Sequence, residues 1–171
     1  MVVLIGGSSH TGKTLLAKRM IEAYKYPCIS IDLLKMGLIR SGNTALTPVD
    51  DARLKPYLWN IVKEIVKTAV ENDQDLIVEG AYIPCDWKRY FNKKYLESIR
   101  AYFIVMSANY IERHWADIVG HACEIEHRRS DEFSPYVAIS ENIENLAQCK
   151  KYGCNIIYID GAYRVPLPEI K

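Results

Sequence analysis

Residues 7–14 read Gly-Ser-Ser-His-Thr-Gly-Lys-Thr and match the pattern G-x-x-x-x-G-K-[ST] in full. The apolar run Val2-Val3-Leu4-Ile5 comes just before this stretch, and a helical pattern follows it. A strand, this loop and a helix in that order form the context in which the pattern binds phosphate groups. The sequence therefore predicts a site for a nucleoside di- or triphosphate and Mg²⁺ near the start of the chain.

Each part of the loop has a physical role in holding phosphate. Glycine permits backbone conformations in which successive N–H groups turn toward phosphate oxygens, and the following helix adds its own N–H groups. Lys13 is expected to reach the β- and γ-phosphates, and the Thr14 hydroxyl to bind Mg²⁺. The alternative is an ordinary glycine-rich turn. The predicted nucleotide-binding residues are Gly7, Ser8, Ser9, His10, Thr11, Gly12, Lys13 and Thr14.

The length and composition of the chain limit its class. It has 171 residues, which suits one domain, expected over residues 1–171, with a buried core. The formal net charge is +1, so electrostatics gives no indication of a nucleic-acid or membrane partner. No apolar run approaches the roughly 20 residues of a membrane span, and the first apolar run is far too short for a signal peptide. We therefore expect a cytoplasmic monomer or homodimer without nucleic-acid or membrane partners.

The cysteine pattern predicts neither a zinc motif nor a redox motif. The chain has five cysteines, and no two of them form a C-x-x-C pair. An odd number of irregularly spaced cysteines is typical of free thiols that are mostly buried. The five residues are Cys28, Cys85, Cys123, Cys149 and Cys154.

Short apolar runs alternate with helical patterns along the whole chain. The apolar runs lie at residues 2–5, 28–31, 76–78, 101–106 and 156–159. The helical patterns lie at residues 13–24, 33–40, 47–70, 86–97, 109–119 and 134–153. Thr47 and Asn109 are the predicted N-caps of two helices, and Pro56 is expected to break or kink the first of them. Such alternation predicts an α/β fold, with a parallel sheet covered by helices on both faces.

Two acidic residues follow predicted strands. Asp32 follows the second strand, and Glu79 follows the third. Because ligands of open parallel sheets bind at the carboxyl ends of the strands, both side chains are expected near the phosphate loop and the substrate. We assign Asp32 to acceptor binding and general-base work, and Glu79 to Mg²⁺ or its water shell. The alternatives are helix capping by Asp32 and a solvated Glu79.

A charged segment at residues 121–133 is a candidate lid. Its Arg128 and Arg129 are predicted to stabilise the transferring phosphoryl group, and Arg113 on the preceding helix is a third candidate for the nucleotide. A cover of this kind would also keep water away from the donor. The alternative is an ordinary solvated, charged loop.

The helical region at residues 33–72 is the predicted acceptor-binding region. An anionic acceptor would need a cation there, and Arg40 and Arg53 are the candidates. Lys55 is expected to be an ordinary surface cation. Aromatic residues after Glu79, among them Tyr82, either line the acceptor pocket or belong to the core.

These features together resemble the small P-loop kinases. The resemblance rests on the loop, on Ser30-Ile31-Asp32, on Glu79-Gly80 and on Arg128-Arg129. This group includes shikimate, gluconate and nucleoside-monophosphate kinases, and the chain is most similar to 2-phosphoglycerate kinase-like and chloramphenicol phosphotransferase-like proteins. The resemblance follows the element order of the whole chain, but only the loop matches residue by residue.

The resemblance implies a P-loop NTPase three-layer sandwich with five parallel strands in the order 2-3-1-4-5. It also implies ATP, Mg²⁺ and a closing lid. The Asp-x-Asp pair of shikimate kinase-like enzymes is here Ser30-x-Asp32, which leaves a direct magnesium ligand on the second strand in doubt. We expect an ATP- and Mg²⁺-dependent phosphotransferase that acts on a hydroxyl of a small metabolite. The alternatives are a nucleoside or nucleoside-monophosphate kinase, and an ATP-binding regulator or toxin-like module without metabolic turnover.

Overall fold

A five-stranded parallel sheet forms the centre of the molecule. The structure is a computed structural model that describes residues 1–125 and 134–170. The strands lie in the order β2-β3-β1-β4-β5, and every neighbouring pair is parallel. This confirms the predicted α/β fold and strand order. The strands are β1 (Val2–Gly7), β2 (Cys28–Ser30), β3 (Leu76–Glu79), β4 (Ile99–Met106) and β5 (Asn155–Ile159).

Helices connect the strands and cover the sheet. No helix of the described residues is both long and apolar enough to cross a membrane. A short 3₁₀ helix spans Trp87–Tyr90. The α-helices are α1 (Lys13–Tyr24), α2 (Ile31–Arg40), α3 (Asp51–Glu71), α4 (Lys93–Glu97), α5 (Ala108–Arg113), α6 (Trp115–Ile125) and α7 (Pro135–Lys151).

The central strand β1 separates two hydrophobic cores. All six of its residues are buried, as expected for a strand that helices cover on both sides. Val2 and Leu4 pack in the core that contains the apolar residues of α3. Val3 and Ile5 pack in the other core, together with apolar residues of α1, α5 and α6. Because successive side chains of a strand point to opposite faces, this alternation produces the three layers.

The boundaries near the second strand differ from the prediction. β2 ends at Ser30 and α2 begins at Ile31, so Asp32 lies in the first turn of a helix and not at the end of a strand. The third helix begins at Asp51, not at Thr47. The Asp50 carboxylate accepts hydrogen bonds from the N–H and the hydroxyl of Thr47, each at 2.7 Å. Thr47 is therefore a donor in the preceding turn and not the predicted N-cap.

Two further local predictions were wrong, and the break predicted as one alternative at Pro56 does not occur. The helix predicted at residues 86–97 is divided into the 3₁₀ helix and α4. Ser107, rather than Asn109, is the N-cap of α5, and its Oγ accepts from the Tyr110 N–H at 2.9 Å. Pro56 lies inside α3, which stays continuous on both sides of it. Burial of one face of α3 against the sheet stabilises the helix despite the missing N–H donor.

The backbone conformation of Gly7, the first glycine of the loop, can be tested by substitution. Gly7 has φ 134°, and a β-carbon there would lie 2.4 Å from the carbonyl oxygen of Ile104. We expect Gly7→Ala to lower the free energy of unfolding by about 1–3 kcal/mol or more. The alanine would have an unfavourable φ, and its β-carbon would clash with a backbone atom that cannot easily move. Gly37, in α2, has nothing within 4 Å of such a carbon.

The control substitution Gly37→Ala should have the opposite sign. Alanine in a helix interior is about 0.5–1 kcal/mol more favourable than glycine, so this variant should be slightly stabilised. Urea unfolding of both variants measures the difference. Equal effects of the two substitutions would contradict the conformation assigned to Gly7.

Candidate active site

The loop between β1 and α1 folds back on its own backbone. Lys13 Nζ donates a hydrogen bond to the carbonyl oxygen of Ser8 at 2.6 Å, and Thr11 Oγ1 donates to the same oxygen at 3.0 Å. Lys13 is buried, with 7% of its surface exposed. Gly12, just before α1, is left-handed at φ 91°, and His10 is left-handed at φ 61°. The loop therefore has the curled backbone in which successive N–H groups can face an anion.

Thr14 and Glu79 meet beside the loop. The Thr14 hydroxyl donates to Glu79 Oε2 at 3.4 Å, although the two residues are 65 positions apart. Glu79 is buried, with 2% of its surface exposed. In the sheet it lies opposite Ile5 of β1 and opposite Ser30 of β2. The strand order thus brings the end of β3 to the start of α1.

The oxygen atoms around this point fit a magnesium ion. Ser30 Oγ is buried and has no hydrogen-bond partner among the described residues. It belongs to the residue paired with Glu79 across β2 and β3. Hydroxyl and carboxylate oxygens are the donors that Mg²⁺ binds, directly or through its waters. Thr14 and Glu79 are therefore the residues that would hold the ion, and the Ser30 hydroxyl would be free to accept a hydrogen bond from one of its waters.

Asp32 belongs to a network of polar side chains that connects three segments of the protein. Asp32 Oδ1 lies 3.3 Å from Lys35 Nζ, and both side chains are largely buried. Lys35 Nζ donates to the Tyr82 hydroxyl at 2.9 Å, which in turn donates to Asp51 Oδ1 at 2.6 Å. The network connects α2, the segment after β3 and the first turn of α3. It holds the Asp32 carboxylate in one orientation, as a positioned acid or base requires.

A cleft of about 490 Å³ opens beside the loop. Ser8 and Ser9 form one wall, Tyr82 contributes to another, and α3 and α7 supply most of the rest. Lys55 is the one basic residue among the described lining residues, and it is exposed, as expected of a surface cation. The lining also contains four acidic residues, namely Asp51, Asp86, Glu141 and Glu144.

Helix α7 supplies two contacts that the sequence did not indicate. Asn145 Nδ2 donates to the Ser8 hydroxyl oxygen at 2.7 Å. The Glu141 carboxylate lies close enough to the Ser9 N–H and to Lys13 to interact with both. Residues 141 and 145 share one face of a helix, but polar residues at that spacing are common on exposed helices. Only the packing of α7 reveals that this face covers the loop.

The arginines predicted for the acceptor and nucleotide have exposed positions. Arg40 is in the last turn of α2, and Arg53 is in the first turn of α3. Both are exposed, and neither lines the cleft. Arg113 is exposed in the last turn of α5. The structure does not bring these three residues to the loop through any hydrogen bond or ion pair that it describes.

Arg128 and Arg129 lie outside the described residues. The proposed lid at residues 121–133 therefore remains a prediction. Its beginning is helical, because α6 continues to Ile125.

The Glu141 carboxylate gives a prediction for pH dependence. Burial in the cleft wall raises the pKa of Glu141, and the nearby Lys13 opposes this in part. A raised folded-state pKa favours the protonated form, so the stabilising contribution is present at low pH and lost as the pH rises through that pKa. Glu141→Gln, which keeps a neutral acceptor for the Ser9 N–H, should therefore raise Tm slightly at neutral pH.

The difference in Tm between this variant and the wild type should shrink toward zero below about pH 4.3, where the carboxyl is protonated in both states. Thermal unfolding across a pH series measures it. Glu112→Gln, at an exposed position of α5, is the matched control. A pH-independent difference for Glu141→Gln would contradict the shifted pKa.

The chain has the fold of the small P-loop kinases, and its loop matches the phosphate-binding pattern. No protein-family model matches the chain, and no curated protein matches it. Among solved structures, shikimate kinase from Bacteroides thetaiotaomicron is similar, with a TM-score of 0.56 and 14% identity. The match covers 92% of this chain and 86% of that one.

Two other solved structures are also similar to the chain. Deoxyadenosine kinase from M. mycoides has a TM-score of 0.54 and 11% identity, over 94% of this chain and 90% of that one. A protein of the PezAT chromosomal toxin–antitoxin system of Streptococcus pneumoniae has a TM-score of 0.54 and 12% identity, over 92% and 66%. Identities this low show a common fold, and the fold alone does not define a substrate.

Proposed function

We propose that this protein is an ATP- and Mg²⁺-dependent phosphotransferase that acts on a hydroxyl group of a small metabolite. The observation that carries the proposal is the contact between Thr14 and Glu79, next to a loop that holds Lys13 buried. A phosphate loop, a hydroxyl and a buried carboxylate are the parts that this reaction needs for its nucleotide and metal. The adjoining cleft offers space for an acceptor.

The residues would divide the work as follows. The loop N–H groups and Lys13 hold the phosphates of ATP, and Thr14 and Glu79 hold Mg²⁺ directly or through water. The ion, when bound, neutralises charge on the phosphates. Asp32 orients the acceptor hydroxyl and takes its proton, while Lys35 and Tyr82 hold the carboxylate in place.

The remaining assignments complete the proposal for the whole chain. Residues 1–171 form one kinase-like domain, in which residues 33–72 bind the acceptor and residues 121–133 close over the nucleotide. Arg128 and Arg129 supply positive charge to the transferring group, with Arg113 as the third candidate.

The charges of the cleft favour a particular kind of acceptor. Four acidic residues and one lysine line the cleft, so a negatively charged acceptor inside it would be repelled. Arg40 and Arg53, the cations expected for an anionic acceptor, are exposed and do not line the cleft. An uncharged polyhydroxylated acceptor or a cationic one, such as an amino sugar or an amino alcohol, fits this lining better. Such molecules donate the hydrogen bonds that carboxylates accept.

A panel of acceptors tests the proposal. ADP formation from Mg-ATP is measured with neutral sugars and polyols, amino sugars and amino alcohols, sugar acids, nucleosides and nucleoside monophosphates. Lys13→Met serves as the blank for contaminating kinases and ATPases. We expect acceptor-dependent ADP formation with a neutral or cationic hydroxylated compound. Absence of transfer to every acceptor, with Mg-ATP bound, would reject the kinase assignment.

Two alternatives have support from the fold. Similarity to a deoxyadenosine kinase favours a nucleoside or nucleotide kinase, and the nucleoside members of the panel detect it. Similarity to a protein of a toxin–antitoxin system favours a toxin-like module, which would arrest growth on expression. Growth arrest that depends on Lys13, together with no transfer to any metabolite, would replace the proposed function by the second alternative.

A further inference from the structure

Three cysteines that are distant in the sequence meet in the structure. Cys85 lies after β3, Cys149 near the end of α7, and Cys154 just before β5. Their sulfur atoms all lie within 4.8 Å of one another, and the Sγ atoms of Cys85 and Cys149 are 3.5 Å apart. Cys149 is fully buried, and the other two are half-buried. The thiols are free, as expected, but the spacing in the sequence did not indicate that they cluster.

The end of α7 explains how two of them come together. Gly153 is left-handed at φ 60°, and the Cys154 N–H donates to the Cys149 carbonyl at 2.9 Å. This is the hydrogen bond of a Schellman motif, in which the third-last helical residue and the second residue past the cap have touching side chains. Here both of those residues are cysteines. The third, Cys85, approaches from another segment, and Cys154 Sγ donates to its carbonyl oxygen at 3.2 Å.

We propose that Cys85, Cys149 and Cys154 form a binding site for a thiophilic metal ion, and that zinc is the ion it takes. Thiolates on a tetrahedral zinc, with Zn–S bonds of about 2.3 Å, are about 3.8 Å from one another. The Cys85–Cys149 separation of 3.5 Å is close to that value and none exceeds 4.8 Å, so small side-chain movements are enough to reach it. Sulfur ligands select zinc or monovalent copper over magnesium, which keeps this site chemically distinct from the one at Thr14.

The surroundings of the cluster fit a charged ion site. Three thiolates around a divalent ion leave one net negative charge. The ammonium groups of Lys55 and Lys88 lie within electrostatic range of Cys85 and Cys154, respectively, and oppose this charge, while the Asp86 carboxylate near Cys85 adds to it. Cys85 also lines the cleft, which gives an ion a path from solvent to the buried sulfur of Cys149.

The fourth coordination position lies near Asn145. Its Oδ1 is 3.6 Å from Cys85 Sγ, so this oxygen or a water that it binds can complete a tetrahedron. The same side chain donates from Nδ2 to Ser8 of the phosphate loop. An ion bound by the three sulfurs would therefore connect α7 to the segment after β3, beside the phosphate loop. This inference does not depend on the proposed function, because it rests on other residues and another ion.

The test is a zinc titration of the full-length, reduced protein without nucleotide, in competition with a chromophoric chelator. We expect one zinc per chain, and a Tm higher by about 5–10 °C at a hundredfold excess over Kd. Cys85→Ser and Cys154→Ser should each weaken binding at least about 100-fold, because even residues that only support a ligand are worth about 10- to 100-fold. Cobalt should give a sulfur-to-metal charge-transfer band in the wild type, and the band should be lost in both variants.

The matched control is Cys28→Ser, at a half-buried cysteine of β2 that is not in the cluster. Its zinc affinity should equal that of the wild type. Because Cys149 is buried, its substitution could unfold the chain, so the two half-buried positions are the informative ones. Zinc binding no tighter in the wild type than in the Cys85→Ser/Cys154→Ser double variant would overturn the proposal.

Discussion

Lys13→Met is expected to lower kcat for the true acceptor by roughly 100- to 1,000-fold, the loss typical of removing one preorganised charge that stabilises a transition state. Lys13 Nζ is held at the Ser8 carbonyl, inside the curl of the loop, where it can move to a phosphate oxygen with little reorganisation. Methionine has a similar length and apolar character but no charge. The Ser8 carbonyl oxygen keeps its hydrogen bond from Thr11 Oγ1, so the variant should stay folded, with a Tm close to that of the wild type.

Lys18→Met provides the control for this substitution. Lys18 is on the same helix, α1, and is exposed, so the same change in charge and shape should leave kcat unaltered. Steady-state ADP formation and thermal unfolding are measured on both variants. Full turnover in Lys13→Met would contradict the assigned role of the loop, and with it the proposed reaction.

Asp32→Asn is expected to lower kcat by about 10²- to 10⁴-fold, which is the range for loss of a general base. The amide keeps the size of the side chain and can still face Lys35, but it cannot take a proton. The loss should fall on kcat more than on KM if Asp32 acts in the transition state. An unchanged kcat would show that Asp32 only contributes to the first turn of α2.

Two further variants make this result specific. Asp73→Asn is the matched control, because Asp73 is exposed and left-handed at φ 52°, a conformation that asparagine accepts. Glu141→Gln is the rival, because its carboxylate lines the cleft and lies near Lys13. A larger loss of kcat in Glu141→Gln than in Asp32→Asn would transfer the role of base from α2 to α7.

The local parts of this protein could be predicted from the sequence because their causes are local. The loop at residues 7–14 has its glycines, lysine and threonine at consecutive positions, and α1 begins at Lys13 as predicted. Short buried strands appear as continuous apolar runs, and each predicted run became a strand. Errors arose where two local signals compete. At Thr47 and Asn109, neighbouring residues could each cap a helix, and packing selected Asp50 and Ser107 as the N-caps.

The contact between Thr14 and Glu79 could be predicted only in part from the sequence. The sequence placed both residues at the correct edge of a sheet, but their contact depends on β3 lying next to β1. A strand order of this kind follows from a resemblance to known folds and not from the residues themselves. The same applies to Asp32, whose connection to Asp51 passes through Lys35 and Tyr82.

The sequence by itself determined the phosphate loop, the alternation of strands and helices, and therefore the class of fold, because hydrophobic periodicity and a contiguous motif act over a few neighbouring residues. Only the tertiary structure decided that α7 presents Glu141 and Asn145 to the loop, that acids line the cleft, and that Cys85 joins Cys149 and Cys154. These contacts join residues 60 or more positions apart. Their partners are selected by the packing of whole elements, which leaves no periodic or contiguous pattern in the chain.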